Sequence, residues 1–177
     1  GVPGSGRFVD TTFSEWQRVM DVHVSGAFHL TSAVLPRMIE RGWGRIVNIA
    51  SEAVWLGNQS VQYVTAKAAL VGFTRALAYQ VAEYGVRVNA SAPGPVDTPM
   101  LHSFEHGDSE AAVLSIAAPL GRIAKPEEIA ALVHFLCADD CMVISGHSVV
   151  VDCGITAGIS AAAWEAMEDA TSPQTGS

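Results

Sequence analysis

The chain has 177 residues, 49% of them apolar and 16% charged, which suits one domain with a buried core and excludes both a disordered polymer and two ordinary domains. Its formal net charge is −8 and its ten Lys and Arg residues are scattered, whereas a nucleic-acid partner requires clustered cations against the phosphate backbone. No apolar run nears the roughly 18–20 residues that span a bilayer and no basic-then-apolar leader opens the sequence, so neither a membrane partner nor secretion is expected.

Periodicity and punctuation divide the chain into alternating elements. A helical pattern runs from about Ser14 to Arg41, started by Thr12 and Glu15 in capping-box spacing and interrupted by Gly26 and Pro36, where a bend or break is expected. Arg45–Ala50 reads as a strand, followed by a helix from about Val61 to Tyr84 that stops at Gly85. Val86–Ala92 is a second strand. A helix from Pro126 to about Ala138 has proline at its first position and Glu127 and Glu128 in its first turn. His147–Asp152 is a third strand, and Ser160–Ala170 a short helix before a frayed end at Thr171–Ser177. The strands are almost continuously apolar and joined by long connections. This predicts an α/β fold: a parallel sheet covered on both faces by helices, with right-handed crossovers. Residues 1–155 form one unit in this reading, and 156–177 a partly disordered tail. Cys137, Cys141 and Cys153 lack paired spacing, which suits free thiols in a reducing cytoplasm better than disulfides or zinc.

Tyr63 and Lys67 stand four apart on one face of the second helix. That spacing alone favours an ordinary surface pair, since Tyr and Lys recur at this separation in many helices. Ser51 adds a hydroxyl at the carboxyl end of a strand, where parallel sheets bind ligands. The next strand ends in Pro93-Gly94-Pro95-Val96-Asp97-Thr98.

Several segments together resemble the short-chain dehydrogenase/reductase family. They are Gly44–Ser51, Tyr63-Val64-Thr65-Ala66-Lys67, Val86-Arg87-Val88-Asn89 leading into Pro93-Gly94 and Thr98, Pro126–Ala130, and Ser145-Gly146 with Val150-Val151-Asp152. The resemblance covers about residues 8 to 155. It implies part of a Rossmann-like doubly wound sheet and hydride transfer between a secondary alcohol or ketone and NAD or NADP, a 3-oxoacyl thioester being a variant substrate. Tyr63 would be the general acid/base, Lys67 would lower its pKa and hold the nicotinamide ribose, and Ser51 would orient the substrate oxygen. Thr98 and the Val96 backbone, with Pro93 and Gly94, would hold the cofactor. A phenol needs roughly 4 kcal/mol of help to act near neutrality, about what a cation 4 Å away supplies. The family also implies a homo-oligomer, with Phe28, Leu35, Phe73 and Leu77 recurring along the two long helices; packing within the subunit gives the same stripe.

The sequence departs from the family pattern at several places. The glycine-rich dinucleotide turn is absent, and Gly1, Gly4 and Gly6 read as a plain surface loop, Gly1 matching the last glycine of the family's N-N-A-G segment. The segment before it would then be missing and the Arg45–Ala50 strand left with an open edge, so this chain alone is expected to be inactive or impaired. The competing reading is a non-catalytic pseudoenzyme or oligomerisation fragment. His23 stands where the family places Asn in a water relay, Ser51 precedes Tyr63 by one residue fewer than is common, with Ser60 as the competing hydroxyl, and Cys153 replaces a common glycine. Trp55, Met100 and Phe104 are candidate substrate contacts. His102 and His106, near Asp108, have a metal-compatible spacing but lie in the variable lid of the family, so no metal is expected. Arg122 and Lys125 are the basic residues that a thioester substrate could use.

Overall fold

In a computed structural model, which describes residues 1–4, 6–102 and 107–171, the three apolar runs become strands β1 (Gly44–Ile49), β2 (Val86–Pro93) and β3 (Ser148–Val151). They pair in parallel in the order β1-β2-β3, with Gly44 opposite Val86 and Ala90 opposite Ser148. The central strand is buried along almost its whole length. Its alternate residues explain the layers. Val86 and Val88 pack with Ala78 and Val81 of helix α4 (Val61–Val81) and with Leu35 and Met38 of helix α2 (Gly26–Glu40). Arg87 and Asn89 face the other way and donate to the carbonyls of Ala138, which caps the helix Pro126–Cys137, and Ile144, in the loop beyond it. Helices thus cover both faces of a parallel sheet, as the sequence predicts.

The first helical run is divided more finely than predicted. Thr12 caps helix α1 (Phe13–Met20) through the expected box, its hydroxyl accepting from the Glu15 amide and its own amide donating to the Glu15 carboxylate. The chain then widens into a π turn at Asp21–Ser25 before α2 begins at Gly26. The break thus falls on His23 and its neighbours. Pro36 sits inside α2 without ending it; it lies on an exposed face, where water can take the carbonyl that a proline leaves without a donor.

The long α4 ends as predicted. A 3-10 turn at Ala82–Tyr84 leads to Gly85 at φ +69°, and a Cβ there would meet the Gly42 carbonyl oxygen at 2.4 Å. Between β1 and α4 lies a single helical turn, α3 (Ala53–Leu56), and between β2 and β3 lie α5 (Pro99–His102), α6 (Gly107–Ala117) and α7 (Pro126–Cys137). The short α3, α5 and α6 have too little periodicity to be read from sequence. The last helix, α8 (Ala161–Thr171), is tied down where Ser160 donates its amide to Ala117 and its hydroxyl to Ile116. Among the described residues no helix is long and apolar enough to cross a membrane.

Candidate active site

The carboxyl ends of β1 and β2 open into a cleft of about 760 Å³ whose walls include Ser51, Tyr63, Lys67, Gly94, Val96 and Met100. Topology places them there. Ser51 follows the last residues of β1, Tyr63 and Lys67 lie on the first turns of α4, and Gly94 to Thr98 continue β2. Met100 and Thr98 line the cleft as well, whereas Trp55 does not. The single turn of α3 buries Ala53 completely and turns Trp55, two residues on, outwards at 50% exposure. Phe104 and His106 lie outside the described residues.

Ser51 has one hydroxyl proton and three hydrogen-bonding neighbours. Its hydroxyl donates to the Glu52 carboxyl at 3.0 Å, accepts from the Ala53 amide at 3.2 Å, and hydrogen-bonds the Tyr63 phenol. Ser60, the competing hydroxyl, instead flanks Gly4, outside this cluster. Lys67 is 7% exposed and donates to the Ile49 carbonyl at 2.7 Å. Its ammonium lies 5.5 Å from the centre of the Tyr63 ring. Burial lowers the Lys67 pKa to about 8.

The phenol is not acidified in this state. Burial raises the Tyr63 pKa, the Ser51 hydrogen bond lowers it in part, and the Glu52 charge raises it further. Lys67 gives no help to that titration because its ammonium, lowered to about 8 by burial, loses its proton before a phenol raised above its ordinary 10.0 does. The chemistry that Tyr63 could perform therefore depends on what else enters the cleft. Lys67 fits a sugar hydroxyl there, because an ammonium has three donors and the Ile49 carbonyl accepts from one. Thr98 donates its hydroxyl to the Val96 carbonyl at 3.2 Å, and residues 95–97 are tied to Ala124 by paired backbone bonds. This fixes the wall that a nicotinamide carboxamide could meet. Gly94 has a packing reason to be glycine: a Cβ would come within 2.7 Å of the Asp152 Cβ.

His23 closes the other side. It is buried, its ring meets Tyr63 edge-on at 5.6 Å, and its Nε2 lies 2.8 Å from the Val2 carbonyl and 3.3 Å from the Val2 amide. Burial lowers its pKa, opposed by the Val2 bond and assisted by Lys67. A neutral imidazole places no second positive charge beside Lys67. Of the opening glycines, Gly1 and Gly4 belong to a packed wall, where a Cβ on Gly1 would strike the His23 ring at 2.6 Å and one on Gly4 would strike Ser60, while Gly6 is exposed with open space around it, as a surface loop implies.

Glu52 and Asp152 were not singled out from the sequence, and both are buried beside this cleft. The available signal was an acidic residue directly after a strand-ending serine. Cys153, just beyond, has φ +55°, the left-handed region that favours glycine. The glycine common at this position answers that backbone requirement. His102 bridges Asp97 and Asp108 at 2.7 and 2.6 Å, and Arg122 is held by both oxygens of Glu128 at 2.7 Å.

A family model described as enoyl-(acyl carrier protein) reductase matches residues 1–156. The chain belongs to the short-chain dehydrogenase/reductase family. It is 38% identical over 156 residues to the 3-oxoacyl-[acyl-carrier-protein] reductase FabG of Aquifex aeolicus, covering 88% of this chain and 62% of that protein. It is also 38% identical to a cyclohexanol dehydrogenase of Acinetobacter sp. strain SE19, over 77% of this chain and 53% of that one. Among solved structures, the TT0495 protein of Thermus thermophilus is similar with a TM-score of 0.79 and 37% identity, over 89% of this chain and 67% of that one. A gluconate 5-dehydrogenase of Burkholderia cenocepacia, in complex with NADP and tartrate, has a TM-score of 0.83 at 26% identity, over 90% of this chain and 63% of that one. This short-chain dehydrogenase/reductase chain spans about three-fifths of the length of these curated relatives, 62% for the first.

Proposed function

We propose that the protein containing this chain is an NAD(P)-dependent oxidoreductase that interconverts a secondary alcohol and a ketone. The observation that carries this reading is the convergence of Ser51, Tyr63 and Lys67 on one cleft at the carboxyl edge of a parallel sheet. A bound nicotinamide would supply the hydride. Tyr63 would hold the proton exchanged with the substrate oxygen, Ser51 would hydrogen-bond and orient that oxygen, and Lys67 would hold the ribose and keep a positive charge beside the phenol. Pro93, Gly94, Val96 and Thr98 would form the wall against the carboxamide, with Met100 facing the substrate. His23 would act through position, keeping the π turn and the Val2 backbone locked beside Tyr63.

A simple alcohol or ketone suits the site better than a 3-oxoacyl thioester, because Arg122 is held by Glu128 and neither Arg122 nor Lys125 lines the cleft. A soluble homo-oligomer in the cytoplasm is part of the proposal. Phe28 is 54% exposed and free for a subunit contact, whereas Leu35 and Leu77 pack inside the subunit.

The test is oxidation of NADH and NADPH by the full protein with cyclic ketones and, separately, a 3-oxoacyl thioester, alongside fluorescence titration of both cofactors. The proposal expects cofactor binding and ketone-dependent oxidation. Absence of binding would favour the non-catalytic reading, and preference for the thioester would overturn the substrate assignment.

A further inference from the structure

Two buried carboxyls follow β1 and β3, the strands on either side of β2, and their pKa values move in opposite directions. Asp152, at the end of β3, accepts from the Gly154 amide at 2.9 Å and the Thr156 amide at 2.7 Å. Burial pushes its pKa up, but these donors and the Thr156 hydroxyl outweigh it and hold Asp152 below its ordinary value, as a carboxylate. Glu52, 6% exposed, has the Ser51 hydroxyl as its side-chain partner and forms no ion pair among the described residues. Burial raises its pKa, the Ser51 bond and the backbone amides of Glu52 and Ala53 oppose this, and the Asp152 charge adds to it, leaving the net direction upward. Such divergence between neighbouring carboxyls marks different roles.

Ser51 has one proton and three neighbours. While that proton goes to Glu52, the serine oxygen can only accept, as it does from the Ala53 amide, and the bond by which Ser51 lowers the Tyr63 pKa needs the same proton. Ser51 then has nothing to donate to a substrate oxygen. We propose that Glu52 is a positioning residue that sets the direction of the Ser51 proton. As a carboxylate it takes that hydrogen bond; as a carboxylic acid it donates its own proton to the Ser51 oxygen and turns the serine hydroxyl towards Tyr63 and the substrate. Each switch takes up or releases one proton: Glu52 exchanges it with solvent through the cleft it lines, while the Ser51 hydroxyl keeps its own proton and only rotates. This rests on the oxidoreductase reading for its use, but not for its existence. The other charged or titratable groups around the pair are Asp152 from β3, Tyr63 and Lys67 from α4, and His23 from the π turn. Among them only Asp152 acts appreciably on Glu52, and it favours the acid form.

The test uses the full protein labelled with 13C at the glutamate carboxyl and tyrosine ring carbons, followed by NMR against pH in wild type and in E52Q, with Y63F to assign Tyr63. A glutamine amide mimics the protonated acid as a permanent donor to Ser51. The expected result is a Glu52 carboxyl that titrates above the ordinary glutamate range and a Tyr63 midpoint lowered by about half a unit or more in E52Q. In ketone reduction, kcat/KM should fall as pH rises through the Glu52 midpoint in wild type, and E52Q should lack that limb. A Glu52 carboxyl that titrates in the ordinary range, or a Tyr63 midpoint unmoved in E52Q, overturns the proposal. If no ketone is reduced at all, the oxidoreductase reading fails, while the two NMR titrations still decide the coupling of Glu52, Ser51 and Tyr63.

Discussion

Replacing Lys67 with Met should destroy activity and at the same time make the protein slightly more stable at neutral pH. The reason is the burial that lowers the Lys67 pKa from the ordinary 10.5 to about 8. A depression of that size corresponds to roughly 3 kcal/mol of unfavourable free energy for the charged lysine in the folded state. Methionine removes it but leaves the Ile49 carbonyl without the 2.7 Å bond from Nζ, a loss of about 1–3 kcal/mol. The net gain at pH 7 is therefore about 1 kcal/mol. The pH dependence is sharper than the net value. Below pH 8 lysine is protonated in both states and the penalty is fully present. Between about 8 and 10.5 the unfolded chain binds the proton and the folded one does not, so wild-type stability rises with pH relative to K67M, by up to about 1.4 kcal/mol per unit. Urea denaturation of both proteins at pH 7, 8, 9 and 10 measures this. A stability difference that stays constant from pH 7 to 10 refutes the argument, because it would mean that the folded state does not oppose the charge on Lys67.

Cys153→Gly should stabilise by about 0.5–1 kcal/mol in the same assay, since φ +55° is costly for a side chain and free for glycine; a destabilised variant would show that the thiol's packing outweighs the backbone. Gly85→Ala should lose more than about 2 kcal/mol, combining the left-handed penalty with a Cβ placed 2.4 Å from the Gly42 carbonyl oxygen, and wild-type stability would contradict that geometry. His102 should titrate above its ordinary value by proton NMR and move back towards it in D108N, because only the imidazolium can donate to both Asp97 and Asp108. The cross-link between α5 and α6 is thus fully present below the ordinary value of 6.5 and lost as pH rises through the raised one; an unshifted His102 would show that the bridge does not form.

The strands and long helices were legible because each carries its own pattern. The Thr12–Glu15 box, the Pro126 start and the Gly85 stop all act within one turn of chain, and the apolar run of β2 reports burial on both faces. The π turn was visible only as a disturbance near Gly26, since insertion of one residue into a helical ladder leaves no compositional mark. Tyr63, Lys67 and Ser51 could be placed at one sheet edge from their order along the chain. What that order cannot convey is the state of the site. The Ile49 carbonyl that engages Lys67, the Val2 backbone that engages His23 and the Asp152 charge that biases Glu52 all come from residues distant in sequence or featureless in type. Trp55 illustrates the same limit: proximity along the chain suggested the pocket, and one turn of helix sends the side chain outwards.

The central claim is that Tyr63 manages the proton while a nicotinamide exchanges hydride with a substrate carbon in this cleft. It is tested most directly by single-turnover reduction of a cyclic ketone with reduced nicotinamide carrying deuterium in place of both C4 hydrogens, in wild type and Y63F. Deuterium should arrive on the carbinol carbon in wild type, and the rate in Y63F should fall by about 10²–10⁴-fold with cofactor affinity retained. Transfer at an undiminished rate in Y63F, or a product without the label, would contradict it.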